Sequence, residues 1–130
     1  CYAGCVDGRW LPACPTIGAG RAAAADVGLY LMDDTLLNRA KCPVKLADML
    51  AAGVPVVAEA VGQVTEYVRD GQTGVVCGSG DVVGVVKGVV ELLAAGEQGR
   101  REAAQVDMRE QFGWERLAEA LHTAYATNVG

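Results

Sequence analysis

The 130-residue sequence predicts an α/β fold, a partial doubly wound parallel sheet of three to four strands with helices on both faces. Three observations lead there. Short β-branched runs alternate along the chain with longer stretches of helical period. The runs are apolar throughout, which marks strands buried on both faces. Apolar residues make up 52% of the chain and aromatics only 5%, so the core is built from Val, Leu and Ala. Such small side chains suit helices lying close on a sheet.

The elements follow in order. Asp26-Val-Gly-Leu-Tyr-Leu-Met32 has the length and apolar character of a strand. Val44, Leu46, Ala47, Leu50 and Ala51 recur at helical spacing, with Pro43 where a first turn tolerates it and Gly53 just past the end. Val54-Pro-Val-Val-Ala58 reads as a second buried strand, its proline near the start where a missing donor matters least. A short helix from about Gln63 to Arg69 leads through the turn Asp70-Gly71 to a third strand, Gly74–Cys77. Beyond Gly78-Ser-Gly-Asp81 the period becomes 3.6, with Val82, Val85, Val86, Val89, Leu92 and Leu93 on one face. Asp81 is the N-cap of that helix and Gly96 closes it. A charged helix spans Glu97 to Gln111, Phe112-Gly-Trp114 interrupts it, and a last helix carries Trp114, Leu117, Leu121 and Tyr125 on one face. In the first 22 residues, Cys1-Tyr-Ala-Gly-Cys-Val6 reads as an initial strand and Ala19 to Ala25 as the end of a helix.

Strand-helix alternation with right-handed crossovers gives about half of a six-stranded Rossmann-like domain. The length suits one domain, and no linker or repeat divides residues 1–130. An uncovered first strand edge would favour self-association into a homo-oligomer or a missing partner segment. The chain opens at Cys1 without a methionine, as expected of a piece trimmed from a longer protein.

Charge and cysteine content narrow the partners. A net charge of −5 and a pI near 4.8 argue against nucleic acid, which calls for a basic face. No apolar run approaches the roughly 18–20 residues of a transmembrane segment, and no secretory leader pattern opens the chain. Five cysteines at irregular spacing, without Cys-x-x-Cys, match neither a disulfide framework nor a zinc site. No metal or other cofactor is expected, and a reducing cytoplasmic location is the default reading.

Ligands of open α/β sheets bind beyond the carboxyl ends of the strands. The loop after the first strand, Asp33 to Pro43, ends with Arg39, Lys41 and Lys45 around a helix N-terminus. Cations are misplaced at that positive end unless an anion lies there. The other reading is a solvated loop with ordinary surface charges. Asp48 shares a helix face with Lys45, either to accept hydrogen bonds from a ribose diol or simply as an i, i+3 ion pair. After the second strand, Gly62 lets backbone approach a ligand and the N–H groups of Gln63 and Val64 face an anion, or the segment is a plain strand-to-helix turn. No GxGxxG and no Walker-type lysine loop is present. His122 reads as a packing or surface residue, having no acid or nucleophile nearby in sequence.

One longer stretch adds a resemblance. Asn38-Arg-Ala-Lys-Cys-Pro-Val-Lys-Leu-Ala-Asp-Met-Leu-Ala-Ala-Gly-Val-Pro-Val-Val-Ala58 resembles the donor-binding segment of GT-B glycosyltransferases of the family 4, or group 1, type, with its P-x-K-L-x-E-Y-M-A-x-G-x-P-V-V-A run. Val61-Gly-Gln-Val-Thr-Glu-Tyr-Val-Arg-Asp-Gly-Gln-Thr-Gly-Val-Val76 is similar to that family's G-G-x-x-E-x-V-x-D-G-x-T-G-x-L-V. Gly80-Asp81 before an amphipathic helix and Phe112-Gly-Trp114 before the last helix continue the likeness, which spans about residues 24–127.

The resemblance implies that residues 1–130 form the second half of a C-terminal donor-binding domain. It implies a nucleotide diphosphate sugar as substrate, transfer with retention of configuration, and no bound metal. Arg39, Lys41 and Lys45 would surround the phosphates, Leu46 lie near the base or ribose, Asp48 hold the ribose hydroxyls, and Gly62 and Gln63 form the loop facing the donor. Three departures stand out. Asp48 replaces the second glutamate of the family's E-x7-E motif, Ala40 stands where the first is expected, and Gln63 replaces the second glycine of the usual pair. The acceptor domain and the first strands of the donor domain are also missing, so an isolated fragment is expected to be inactive. A non-enzymatic nucleotide- or protein-binding module is the competing reading, and a flavodoxin-like domain binding FMN a third.

Overall fold

The computed structural model describes residues 4–6, 9–11, 24–96 and 98–128. Near the start, β1 (Gly4–Val6) and β2 (Arg9–Leu11) pair antiparallel, with Cys5 opposite Trp10. The expected initial strand is therefore one arm of a hairpin. Most of the helix end expected at Ala19–Ala25 lies outside the described residues.

The main sheet consists of three parallel strands in the order β3 (Gly28–Tyr30), β4 (Val56–Glu59) and β5 (Gly74–Cys77). Leu29, Val57 and Val75 stand side by side across it. Six helices are described: α1 (Leu36–Arg39), α2 (Val44–Ala51), α3 (Val64–Tyr67), α4 (Val82–Ala94), α5 (Gln98–Phe112) and α6 (Trp114–Asn128). This is the partial Rossmann-like α/β architecture that the alternating pattern predicts. The α1 turn, inside what reads as a polar loop, was not foreseen.

Competition for backbone donors sets the strand boundaries. Gly53, at φ +77°, donates to the Leu50 carbonyl at 2.9 Å, and Val54 donates to Met49 at 3.0 Å, closing the end of α2. Pro55 has no N–H. Pairing on β4 therefore starts at Val56 rather than at the expected Val54. The expected run to Met32 is likewise shortened, because the Met32 N–H goes to the Glu59 carboxylate and not to a strand.

Alternation along β4 feeds a core on each face of the sheet. Val56 and Ala58 join Leu46 and Leu50 of α2, Val64 of α3, and Ala104 and Met108 of α5. Val57 faces the other way, with Cys77, Leu92 and the partly buried Val75, Val85 and Val89. A fully buried leucine or valine contributes about 1.5–3 kcal/mol, so α2 is anchored chiefly by Leu46 and Leu50. Gly88 brings α4 down onto the sheet, since a Cβ there would stand 3.0 Å from Val75 and 3.2 Å from Val57. The Asp81 Oδ1 accepts the Gly84 N–H at 2.9 Å, so the cap that the sequence predicts is formed.

On the first face, Tyr67 stacks on Phe112 with ring centroids 4.4 Å apart and planes 2° from parallel. Arg69 pairs with the buried Asp107, which also accepts from the Gln111 side chain at 2.6 Å. These contacts tie α3 and the turn after it to α5. On the second face, α4 packs over β4 and β5, while Leu29 at the β3 edge stays 53% exposed. The α6 stripe of Trp114, Leu117, Leu121 and Tyr125 is exposed as well. Among the described residues, no helix is long and apolar enough to cross a membrane.

Candidate functional site

The carboxyl ends of β3, β4 and β5 form one edge of the molecule, and the loop from Leu31 to Pro43 builds most of it. This loop is organised rather than simply solvated. Thr35 caps α1 by accepting the Asn38 N–H at 3.3 Å, and the Asn38 side chain donates to the Asp33 carbonyl at 2.9 Å. Arg39 donates to both carboxylate oxygens of Asp34, through Nε and, at 2.7 Å, through Nη2. That fork holds the Asp34 carboxyl below its ordinary range and raises the Arg39 guanidinium above its own.

Beyond α1 the chain enters α2 through Pro43, which is the N-cap and supplies no side-chain hydrogen bond. The first turn of α2 holds no acidic residue. The positive end of the helix is therefore left without a side-chain counterpart on its own element. Beside it lies a cavity of about 400 Å³, lined by Leu29, Tyr30, Leu31 and Met32 on one side and by Lys41, Cys42, Val44 and Lys45 on the other. Lys41 makes a long contact to Asn38 Oδ1 at 3.4 Å. Cys42 is exposed, and its sulfur stands 4.0 Å from the Tyr67 hydroxyl. Burial first, and the Cys42 thiol second, push the Tyr67 hydroxyl above its ordinary range.

The structure distributes the sequence-predicted residues unevenly. Lys41 and Lys45 meet at the cavity. Leu46 is fully buried in the core cluster, and Asp48 is exposed on α2, one turn beyond Lys45. Arg39 is engaged with Asp34. Gly62, at φ +59°, faces the Arg39 backbone, where a Cβ would come within 2.7 Å of the carbonyl oxygen. Gln63 is the exposed N-cap of α3 and makes no capping hydrogen bond through its side chain. His122 is exposed on α6. No cluster of metal-ligating side chains occurs among the described residues.

One residue escaped the sequence reading. Glu59 is buried at the end of β4 and accepts two backbone N–H groups, from Met32 and from Gly80, each at 2.7 Å. The available signal was a carboxylate ending an otherwise apolar strand at the ligand-binding edge. Nearby, burial together with the negative charges of Asp81, Asp70 and Glu59 pushes the Cys77 thiol above its ordinary range.

Residues 22–95 match the family of glycosyl transferases group 1. The chain is similar to N-acetyl-alpha-D-glucosaminyl L-malate synthase of Bacillus anthracis, 34% identical over 82 residues, which is 62% of this chain and 22% of that one. It is also similar to glycogen synthase of Mycobacterium tuberculosis strain H37Rv, 38% identical over 77 residues, 58% of this chain and 19% of the relative. The chain thus spans about a fifth of the length of these relatives. With the family match covering β3 through α4 and the cationic cavity inside that stretch, this chain belongs to the glycosyl transferases group 1 family.

Proposed function

We propose that the chain is the nucleotide-sugar-binding portion of a retaining glycosyltransferase, the second half of its C-terminal donor-binding domain. The observation that carries this reading is the cavity in which Lys41 and Lys45 flank the N-terminus of α2. When a sugar leaves a nucleotide diphosphate, negative charge grows on the departing phosphate oxygens. The positive end of α2 and two ammonium groups beside that position stabilise the charge without a metal ion. Asp48, one turn further along α2, is the residue for the ribose hydroxyls.

Transfer itself needs more than this chain. Ala40 supplies no carboxylate at the position eight residues before Asp48, and the cavity is open to water, which competes with any acceptor. The isolated chain is therefore assigned donor binding without turnover, and an acceptor domain or partner chain completes the enzyme. Ala40 also favours a second reading, a nucleotide- or protein-binding module with no catalytic role.

Thermal melting with millimolar UDP, GDP, UDP-sugars and GDP-sugars tests the assignment. A bound donor at tens of times its dissociation constant raises the melting temperature by a few degrees. No shift with any of them overturns it. Donor binding with no sugar release when an acceptor domain is supplied selects the second reading.

A further inference from the structure

Glu59 lies between two lips of the sheet edge that are far apart in sequence. Its Oε2 takes the N–H of Met32, in the cavity wall, and its Oε1 takes the N–H of Gly80, at the entrance to α4. Both distances are 2.7 Å and the residue is only 8% exposed. No ion pair to Glu59 occurs among the described residues; the charge is met by the two amides and lies near the positive end of α4. Among the described residues, neither amide has a backbone acceptor. Met32 is past the end of β3 pairing, and Gly80 lies in the turn before Asp81.

A surface glutamate at a strand end would do none of this. The geometry points to Glu59 as a positioning residue: its carboxylate holds the Leu31–Met32 wall of the cavity at a set distance from the loop Gly78–Gly80. The cavity then keeps its shape when empty, because the wall facing Lys41 and Lys45 is tied to the central strand rather than left as a free loop. Glutamate is the length that spans both amides, and both oxygens must be acceptors. In Glu59→Gln one oxygen becomes an NH2 group facing an N–H, so one lip loses its partner. As a contribution to anion binding, this inference rests on the donor-site reading given above.

The test uses the 130-residue chain and inorganic pyrophosphate as probe. Amide exchange followed by NMR is expected to show Met32 and Gly80 protected in the wild type. In Glu59→Gln at least one of them exchanges roughly tenfold faster or more, the change implied by losing a hydrogen bond to a charged group, while the β4–β5 ladder stays protected. Calorimetric titration, at a temperature where both proteins are folded, is expected to show weaker pyrophosphate binding by the variant. A merely structural role lowers the melting temperature and leaves affinity unchanged, so unchanged affinity overturns the inference. Exchange of Met32 and Gly80 at open-loop rates in the wild type overturns it even where the variant does not fold. If the wild type binds no pyrophosphate, the donor-site reading falls, and the exchange rates alone decide whether Glu59 holds the two lips.

Discussion

Gly62 rests its Cα against the backbone of Arg39, so close that a methyl group would come within 2.7 Å of the Arg39 carbonyl oxygen. The turn after β4 and the end of α1 are thereby locked together at the mouth of the sheet edge. Gly62 has φ +59°, a conformation that other residues adopt at a cost of about 1–3 kcal/mol. Gly62→Ala is therefore expected to lose at least that much stability in urea denaturation, with the contact adding to the loss. An unchanged midpoint would show that the two turns part easily.

Leu46 follows a different logic from its cationic neighbour. It is fully buried among Leu50, Val56 and Met108, and it anchors the helix turn that presents Lys45. Leu46→Ala is expected to cost about 2–5 kcal/mol, as large-to-small core substitutions do. Equilibrium unfolding measures this directly, and a loss below 1 kcal/mol would place the side chain outside the core.

Lys45 presents the opposite profile. It is exposed and lines the cavity, so Lys45→Gln should leave the melting temperature within about 2 °C of wild type. The same substitution should weaken pyrophosphate binding by roughly tenfold, the worth of one charge-assisted hydrogen bond. Titration at low and high salt checks it, since screening shrinks the difference between the two proteins.

Asp34 carries a pH signature. Its carboxyl is held below the ordinary value of 3.8 by the Arg39 fork, so the folded state binds the proton more weakly than the unfolded state. The fork's contribution to stability is present above that ordinary value and is lost as pH falls through the lowered one. The stability difference between wild type and Asp34→Asn is expected to be constant near neutrality, to begin falling near pH 3.8, and to vanish only once the pH is below the lowered value. Because both groups are exposed, the difference is small, and urea unfolding from pH 2 to 7 is the measurement. A gap that persists undiminished at the lowest pH would assign it to something other than ionisation.

Local rules carried the sequence reading a long way. β5, α2 and α4 stand where run length, helical period and the Asp81 cap predict them, since each depends on residues within a turn or two of one another. The basic group at the start of α2 was equally legible, because Lys41 and Lys45 come to one helix end by local geometry alone. The likeness over residues 24–127 came from residue order and spacing, and the family match over residues 22–95 bears it out as far as the end of α4.

What remained hidden depends on register between distant segments. Glu59 reaches Met32, 27 positions away, and Gly80, 21 positions away, only because three parallel strands end at the same level. Leu46 turned inward and Gly62 closed against Arg39 for the same reason: which side of a helix or turn is covered depends on what else packs there. By itself the chain's order of residues determined β5, α2, α4 with its Asp81 cap, and the cationic helix end. Tertiary structure alone decided which carboxylate holds that edge together, since a backbone amide chooses its acceptor only once the strands are aligned.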